Sequence, residues 1–267
     1  MQVSAGDVKG EGRDYIVTGA GAGGGPHVRI FDLEGQSQGG FFAYEDSFRG
    51  GVQVAVGDVD GDGQDEIVTA PGPNHDSLIR VFNWQGEIEE EFPAYNKNFQ
   101  GKVNLVVGDV DGDGIKEIVT GAGSGGGPHV RIFNSQGGVL SHFFAFNQNF
   151  LGGVQVAVGD VDGDGIGEIL CSVDSRASSY VRVFDSRFLL LRLQFLSYPK
   201  DYYSGSNLAT ADFDQDNRSE IIIAPNKFKE PEINIFDSNG DPVSRFYAYS
   251  RDFLGGVNVT TMRTYDQ

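Results

Sequence analysis

The string GDVDGDGQDEIVTA at Gly57 recurs as GDVDGDGIKEIVTG at Gly108 and GDVDGDGIGEILCS at Gly159. A weaker copy, ADFDQDNRSEIIIA, begins at Ala211, and a degenerate one, GDVKGEGRDYIVTG, at Gly6. The leading aspartates Asp7, Asp58, Asp109, Asp160 and Asp212 are separated by 51, 51, 51 and 52 residues. Such a chain folds as an array of one supersecondary unit, because each unit must bury its apolar face against the next.

The unit is built of strands. In the second copy the apolar runs are Val52–Val56, Glu66–Thr69, Leu78–Phe82 and Glu89–Tyr95. All are too short for helices, rich in Val, Ile and Phe, and bounded by Gly, Asn or Pro. Four antiparallel strands in about 50 residues make a β-propeller blade. The expectation is an all-β, five-bladed propeller in one domain, with repeats at 1–49, 50–100, 101–151, 152–204 and 205–254 and a remnant strand at 255–267. That remnant, Gly256 to Thr261, aligns with the inner strand Gly51 to Val56, and so does Gln2 to Ala5. Two segments thus compete for one slot in a five-bladed ring. Either the tail closes the ring and the N-terminus is displaced, or the chain is a piece of a longer array. The reading adopted is a closed five-bladed ring with the tail as closure or accessory strand.

Aromatics recur where one blade steps to the next: Phe41 to Tyr44 then Phe48, Phe92 to Tyr95 then Phe99, Phe143 to Phe146 then Phe150, Phe246 to Tyr249 then Phe253. Repetition at one blade position assigns them to inter-blade packing rather than to stacking on sugars.

Charge and cysteine content narrow the partners. Asp and Glu number 38 against 20 Lys and Arg, a net charge of -18, which disfavours nucleic acid and anionic membranes. One cysteine, Cys171, permits no intrachain disulfide framework and no cysteine-based zinc site; its apolar strand makes it a small core residue. No run of about 18 apolar residues is present, and the N-terminal MQVSAGDVKG has no apolar signal core.

The strongest chemical signal is the acidic loop. Its members are Asp58, Asp60, Asp62 and Glu66; Asp109, Asp111, Asp113 and Glu117; Asp160, Asp162, Asp164 and Glu168; Asp212, Asp214, Asp216 and Glu220. Carboxylates at every second position of a tight turn converge on one centre and repel each other unless a cation sits there. Ca2+ suits such a site, because it accepts roughly six to eight oxygens in flexible geometry. The main-chain carbonyls of Gln64, Ile115, Ile166 and Arg218 complete the expected ligand set, for about four ions per chain. An EF-hand is excluded, because loop position twelve is Thr69, Thr120 or Cys171 and the flanks are strands. In the first copy Lys9 replaces the second Asp, Glu11 the third, and Tyr15 the Glu; a lysine in the cage repels a cation, so no calcium is expected there. In the last, Gln215 and Asn217 replace glycines, so a weaker site is expected.

At these residues the chain resembles the FG-GAP repeats of integrin alpha-subunit propellers and their bacterial relatives. The resemblance rests on the strand VQVAVGD, the loop DVDGDG, and a following strand ending at Gly19-Ala20-Gly21, Ala70-Pro71-Gly72 or Gly121-Ala122-Gly123. It implies a calcium-binding propeller, usually extracellular, serving adhesion or ligand recognition. Integrin propellers have seven blades, whereas this chain supplies five repeats and a remnant.

Strand alternation puts the acidic loops on one face of the ring and the second-to-third turns on the other. The latter differ most between repeats (PGPNHDS, VDSRASS, PNKFKEP), which makes His75, Asp76, Arg176, Lys227, Phe228 and Lys229 candidate contacts for a protein or glycan ligand. His27 and His129 occupy equivalent positions and are read as structural. Carboxylates outside the acidic loops form no repeat-breaking cluster, so no catalytic residue is assigned. The reading is a non-enzymatic, extracellular or cell-surface calcium-binding recognition module; the alternatives are a lectin-like or glycan-acting domain, or a structural spacer of a longer protein.

Overall fold

The computed structural model describes residues 1–262; the last five positions of the expected remnant, 263–267, lie outside the described residues. The described residues form five four-stranded sheets, each with strands in chain order. The first blade holds β1 (Gln2–Gly6), β2 (Tyr15–Gly19), β3 (His27–Phe31) and β4 (Ser37–Phe42); the second β5 (Val52–Gly57), β6 (Glu66–Pro71), β7 (Leu78–Phe82) and β8 (Ile88–Pro93). The third holds β9 (Val103–Gly108), β10 (Glu117–Ala122), β11 (His129–Phe133) and β12 (Val139–Phe144); the fourth β13 (Val154–Gly159), β14 (Glu168–Val173), β15 (Tyr180–Asp185) and β16 (Leu190–Leu196). The fifth holds β17 (Ser206–Ala211), β18 (Glu220–Pro225), β19 (Glu232–Phe236) and β20 (Pro242–Tyr247). This is the all-β, five-bladed propeller read from the repeat.

Burial follows position within the blade. The second strands β6, β10, β14 and β18 are buried along their whole length: the first three lie between two blades, and β18 lies between the fourth blade and the tail residues Val257 and Val259. The outer strands β8 and β20 face water along most or all of theirs. The inner strands line a central channel of about 280 Å3.

Each interface repeats the same fittings. Val17, Val28 and Ile30 of the first blade pack on Val52, Ile67 and Phe82 of the second. An outer-strand Phe meets the third-strand Phe of the next blade: Phe41–Phe82 at 4.6 Å, Phe92–Phe133 at 5.1 Å, Phe143–Phe184 at 4.8 Å, Phe195–Phe236 at 4.7 Å. Tyr44 Oη donates to the Leu78 carbonyl at 2.9 Å and lies 3.2 Å from Thr69 Oγ1. Tyr95 repeats this with the His129 carbonyl and Thr120. Arg80 donates to the Ala43 carbonyl at 2.7 Å and Arg182 to that of Ala145 at 2.7 Å.

In the first three blades the aromatic stripe is therefore core at alternate positions only, and in the fifth Phe246, Tyr249 and Phe253, expected in inter-blade packing, are exposed because no blade follows them among the described residues. Strand pleating turns Phe42 and Phe144 outward, where they are exposed while Phe41 and Tyr44 point inward. In the fourth blade the same role falls to Phe195, Tyr198 and Tyr202, which the stripe as read from the sequence omitted.

The two segments expected to compete for one slot do not. Gln2–Gly6 pairs with β2 as the inner strand of the first blade. The tail instead follows β17 round the channel: Val257 N donates to the Pro225 carbonyl at 2.9 Å, and Asn258 Nδ2 to the Met1 carbonyl at 2.6 Å. The tail thus closes the ring as an added inner segment, and the N-terminus is not displaced.

Tyr95→Phe removes two buried hydrogen bonds at no change in ring packing. We expect a loss of about 1–3 kcal/mol in equilibrium urea unfolding, whereas Phe42→Ser, on the exposed alternate position, shifts stability by no more than about 0.5 kcal/mol.

Candidate metal centres

Each acidic loop connects the first and second strands of a blade, between a register pair that recurs: Gly57↔Glu66, Gly108↔Glu117, Gly159↔Glu168 and Ala211↔Glu220. The loop folds on its own carboxylates. Asp58 accepts from Gly61 N at 2.7 Å and Gly63 N at 3.0 Å, Asp60 from Asp62 N at 3.0 Å, and Asp62 from Gln64 N at 2.8 Å. Asp109 and Asp160 make the same pair of bonds with Gly112 and Gly114 and with Gly163 and Gly165. These turns need the left-handed region, which glycine enters without strain. Gln215 (φ 63) and Asn217 (φ 67) take the same conformation in the last loop, where Asp212 accepts from Asn217 N at 2.9 Å. That loop keeps its shape despite losing both glycines.

The glutamate closes each loop from below. Glu66 Oε2 accepts from Val59 N at 2.9 Å, Glu117 from Val110 N at 2.9 Å, Glu168 from Val161 N at 3.0 Å and Glu220 from Phe213 N at 2.8 Å. All four glutamates are buried. Burial, reinforced by the neighbouring aspartates, pushes Glu66 up to about 8 and Glu117 up to about 7. Without a cation, these loops hold a proton where an ordinary glutamate has lost it.

Carboxylate oxygens within 4.8 Å of one another gather in four groups: Asp58, Asp60 and Asp62; Asp109, Asp111 and Glu117; Asp160, Asp162 and Asp164; Asp212, Asp214 and Glu220. Glu66, Asp113, Glu168 and Asp216 flank these triplets in the same loops. The donor set fits a hard divalent cation: several oxygens, no nitrogen or sulfur, and, outside the fourth blade, a concentrated negative charge with no arginine on it.

Two features escaped sequence reasoning. In the fourth blade, the hairpin joining β15 and β16 lies over the acidic loop. Arg187 Nη2 donates to Asp164 at 2.7 Å, and Arg192 Nη1 donates to Asp162 and, at 3.0 Å, to Glu168 Oε1. Burial alone raises the pKa of Asp162, but Arg192 and the loop amides outweigh it and hold the carboxyl low. This loop has its own cations. Second, adjacent loops are tied together: Asp65 N donates to the Asp7 carbonyl, Lys116 N to Asp58, Gly167 N to Asp109 and Ser219 N to Asp160. In the degenerate first loop, Tyr15 Oη and Arg13 engage Glu11, and the Lys9 ammonium lies over the Tyr15 and Trp84 rings.

On the opposite face the variable loops are built into the ring. His75 packs on Tyr44 and Phe48 and meets Glu45 at 3.0 Å. Lys229 lies over Tyr198, Lys227 over Phe228, and Arg176 N donates to the Tyr203 carbonyl. Asn74, Arg176 and Phe228 hold positive φ of 70, 66 and 59°. His129 stacks on Phe144 at 4.7 Å and His27 lies 5.0 Å from Phe42, each within its own blade. Desolvation lowers His129 to about 4, so it is neutral at physiological pH.

Comparison with family models gives an FG-GAP-like repeat over residues 109–171 and an FG-GAP repeat over residues 50–82. The chain carries FG-GAP repeats. No curated protein matches it. Among solved structures, it is similar to Raptor of Chaetomium thermophilum (TM-score 0.56, 16% identity, 90% of this chain and 20% of that one). It is also similar to the Dos1 propeller (0.53, 14%, 88% and 56%) and the rhamnogalacturonan lyase YesW (0.51, 17%, 88% and 51%). This chain therefore spans about half the length of the Dos1 propeller and YesW structures and about a fifth of Raptor, and at such identities the likeness is one of fold. Among the described residues no helix is long and apolar enough to cross a membrane.

The raised glutamates set a pH dependence for the cation-free FG-GAP loops. Between the unfolded value near 4.5 and the folded value near 8 for Glu66, the folded chain holds a proton that the unfolded chain has released. Stability then falls as pH rises through that window. In EDTA, the urea midpoint should be lower at pH 8 than at pH 5.5, and Glu66→Gln with Glu117→Gln should flatten the difference. A midpoint that rises toward pH 8 contradicts the assignment.

Proposed function

We propose that the chain is a non-enzymatic, extracellular calcium-binding recognition module. The four carboxylate triplets, repeated in one register on one face, carry this reading. Gln64, Ile115, Ile166 and Arg218 supply their main-chain carbonyls, and Glu66, Glu117, Glu168 and Glu220 anchor the loop beneath the ion. About four ions bring +8, reducing a net charge of -18 to roughly -10. Calcium at extracellular, millimolar levels fills sites of this kind, and cytosolic levels do not. The ligand, a protein or a glycan, meets the opposite face, where the loops differ from blade to blade. Two observations favour recognition over catalysis: the acidic clusters are spent in the loops, and the four histidines are spread over three blades, His27, His75 and His129 against aromatic rings and His142 beside His129.

Equilibrium dialysis is expected to find about four Ca2+ per chain. Each filled site stabilises by about 1–3 kcal/mol at ten to a hundred times its Kd, so EDTA should lower Tm by on the order of 10 °C. Fewer than two ions, or a Tm indifferent to EDTA, rejects the calcium reading. Binding to an array of glycans and matrix proteins, read with calcium and again with EDTA, tests recognition. Arg192→Gln removes one of the two arginines from the fourth-blade cluster and should tighten that calcium site while leaving the others unchanged.

A further inference from the structure

The C-terminal segment does more than close the ring. It enters its place as the first strand of a blade does. Gly256 takes a φ of 88°, matching Gly51 (87°), Gly153 (75°) and Gly205 (79°). Phe228 N donates to the Leu254 carbonyl at 2.9 Å, as Asn74 N does to Gln100 at 2.8 Å and Gly125 N to Leu151 at 3.0 Å. Asn207 Nδ2 donates to the Val257 carbonyl at 2.7 Å, as Asn104 Nδ2 does to Val154 at 2.7 Å. Asn258 then passes the same bond on to Met1, whose position aligns with Val52. Residues 257–261, which pair in no sheet, thus lie where an inner strand would lie at a sixth blade position between the fifth and first blades.

The faces beside that strand are finished as interfaces and left open. On the fifth blade, Phe213, Phe246, Tyr249 and Phe253 are 57, 51, 59 and 44% exposed, whereas Tyr44 and Phe48 in the first blade are 3 and 8%. On the first blade, Ile16 and Phe31 are half-buried where Ile67 and Phe82 are buried. Val257 and Val259 cover only the inner end of the fifth-blade face.

We propose that this wedge receives the second to fourth strands of a further FG-GAP blade, supplied by polypeptide outside residues 1–267. The four existing interfaces say what the occupant must carry. Phe246 needs a third-strand aromatic, as Phe41 has Phe82 and Phe195 has Phe236. Tyr249 needs a second-strand hydroxyl and a third-strand carbonyl, as Tyr44 has Thr69 and Leu78. The Ala248 carbonyl sits where those of Ala43 and Ala145 accept from Arg80 and Arg182. The occupant therefore reads Glu-Ile-Val-Thr in one strand and Arg-Val-Phe in the next, paired to the free edge of residues 257–261. A second copy of this chain offers no unpaired strands of that pattern among its described residues, and its charge of -18 opposes self-association.

The test joins a copy of residues 57–100 directly after Thr261. A control extension keeps the acidic loop and composition but shuffles the strand residues. The true extension is expected to raise Tm by at least about 5 °C over the control and to slow amide exchange at Val259 and Thr261 by about tenfold or more. Tyr249→Phe should lower Tm by about 2–4 °C in the extended chain and leave the parent unchanged within error. Equal Tm and equal exchange in the two extensions overturn the proposal. So does a parent chain that sediments as a dimer and becomes monomeric on Phe246→Asp, because the wedge is then a self-association surface.

Discussion

Consecutive blades share apolar faces rather than sheet hydrogen bonds, since every ladder is confined to one four-stranded sheet. Beyond the main-chain bonds that tie neighbouring loops and blade-to-blade steps, what orients one blade on the next is side-chain chemistry, and it acts at three heights. Near the channel, an inner-strand amide such as Asn104 reaches a carbonyl of the following blade. At mid-height, Phe41 and Phe82 and their equivalents interlock. Toward the rim, a tyrosine hydroxyl and an arginine cross in opposite directions, Tyr44 to Leu78 and Arg80 to Ala43. Apolar burial supplies most of the driving force but is non-directional; the polar crossings fix the angle between blades, because each leaves a buried group unpaired if the blades slide.

The acidic loops belong to the same system. The carbonyls of Asp7, Asp58, Asp109 and Asp160 each accept an amide from the next loop, so the acidic loops are links in a chain running round one face of the ring. The fourth blade shows how the balance is met locally. There Arg187 and Arg192, from the adjoining hairpin, sit on Asp164, Asp162 and Glu168. Charge compensation by side chains and by an ion are alternatives at that loop, whereas the second and third blades have no such arginine pair on their clusters.

The repeat made the fold legible, because a spacing of 51 residues fixes strand count, order and the place of every acidic loop at once. Legibility stopped where identity between copies stopped. Tyr198 and Tyr202 do the work of Tyr44 and Phe48, but the surrounding string Phe195-Leu196-Ser197-Tyr198 hid the match. Arg192 is an unremarkable outward residue of a strand until the hairpin lays it over Asp162, a contact 30 residues apart in sequence. The tail was read as a rival of the N-terminal strand because both align with Val52–Val56; alignment gives the kind of position a strand takes, and only the ring gives how many positions there are.

The two faces of the propeller are consequently built on different local devices. On one, glycines and aspartates repeat a single turn whose geometry tolerates even Gln215 and Asn217 at positive φ, because the carboxylate bonds over-determine it. On the other, Asn74, Arg176 and Phe228 hold positive φ in loops of different sequence, each pinned by one amide to the approach of the next inner strand. Strain of this kind persists only where surrounding structure enforces it. The enforcing element is the blade-to-blade step, so the variable loops keep their shape for the same reason that the ring holds together. Substitution at their tips leaves the fold intact, and a change at the step moves a loop and an interface at once.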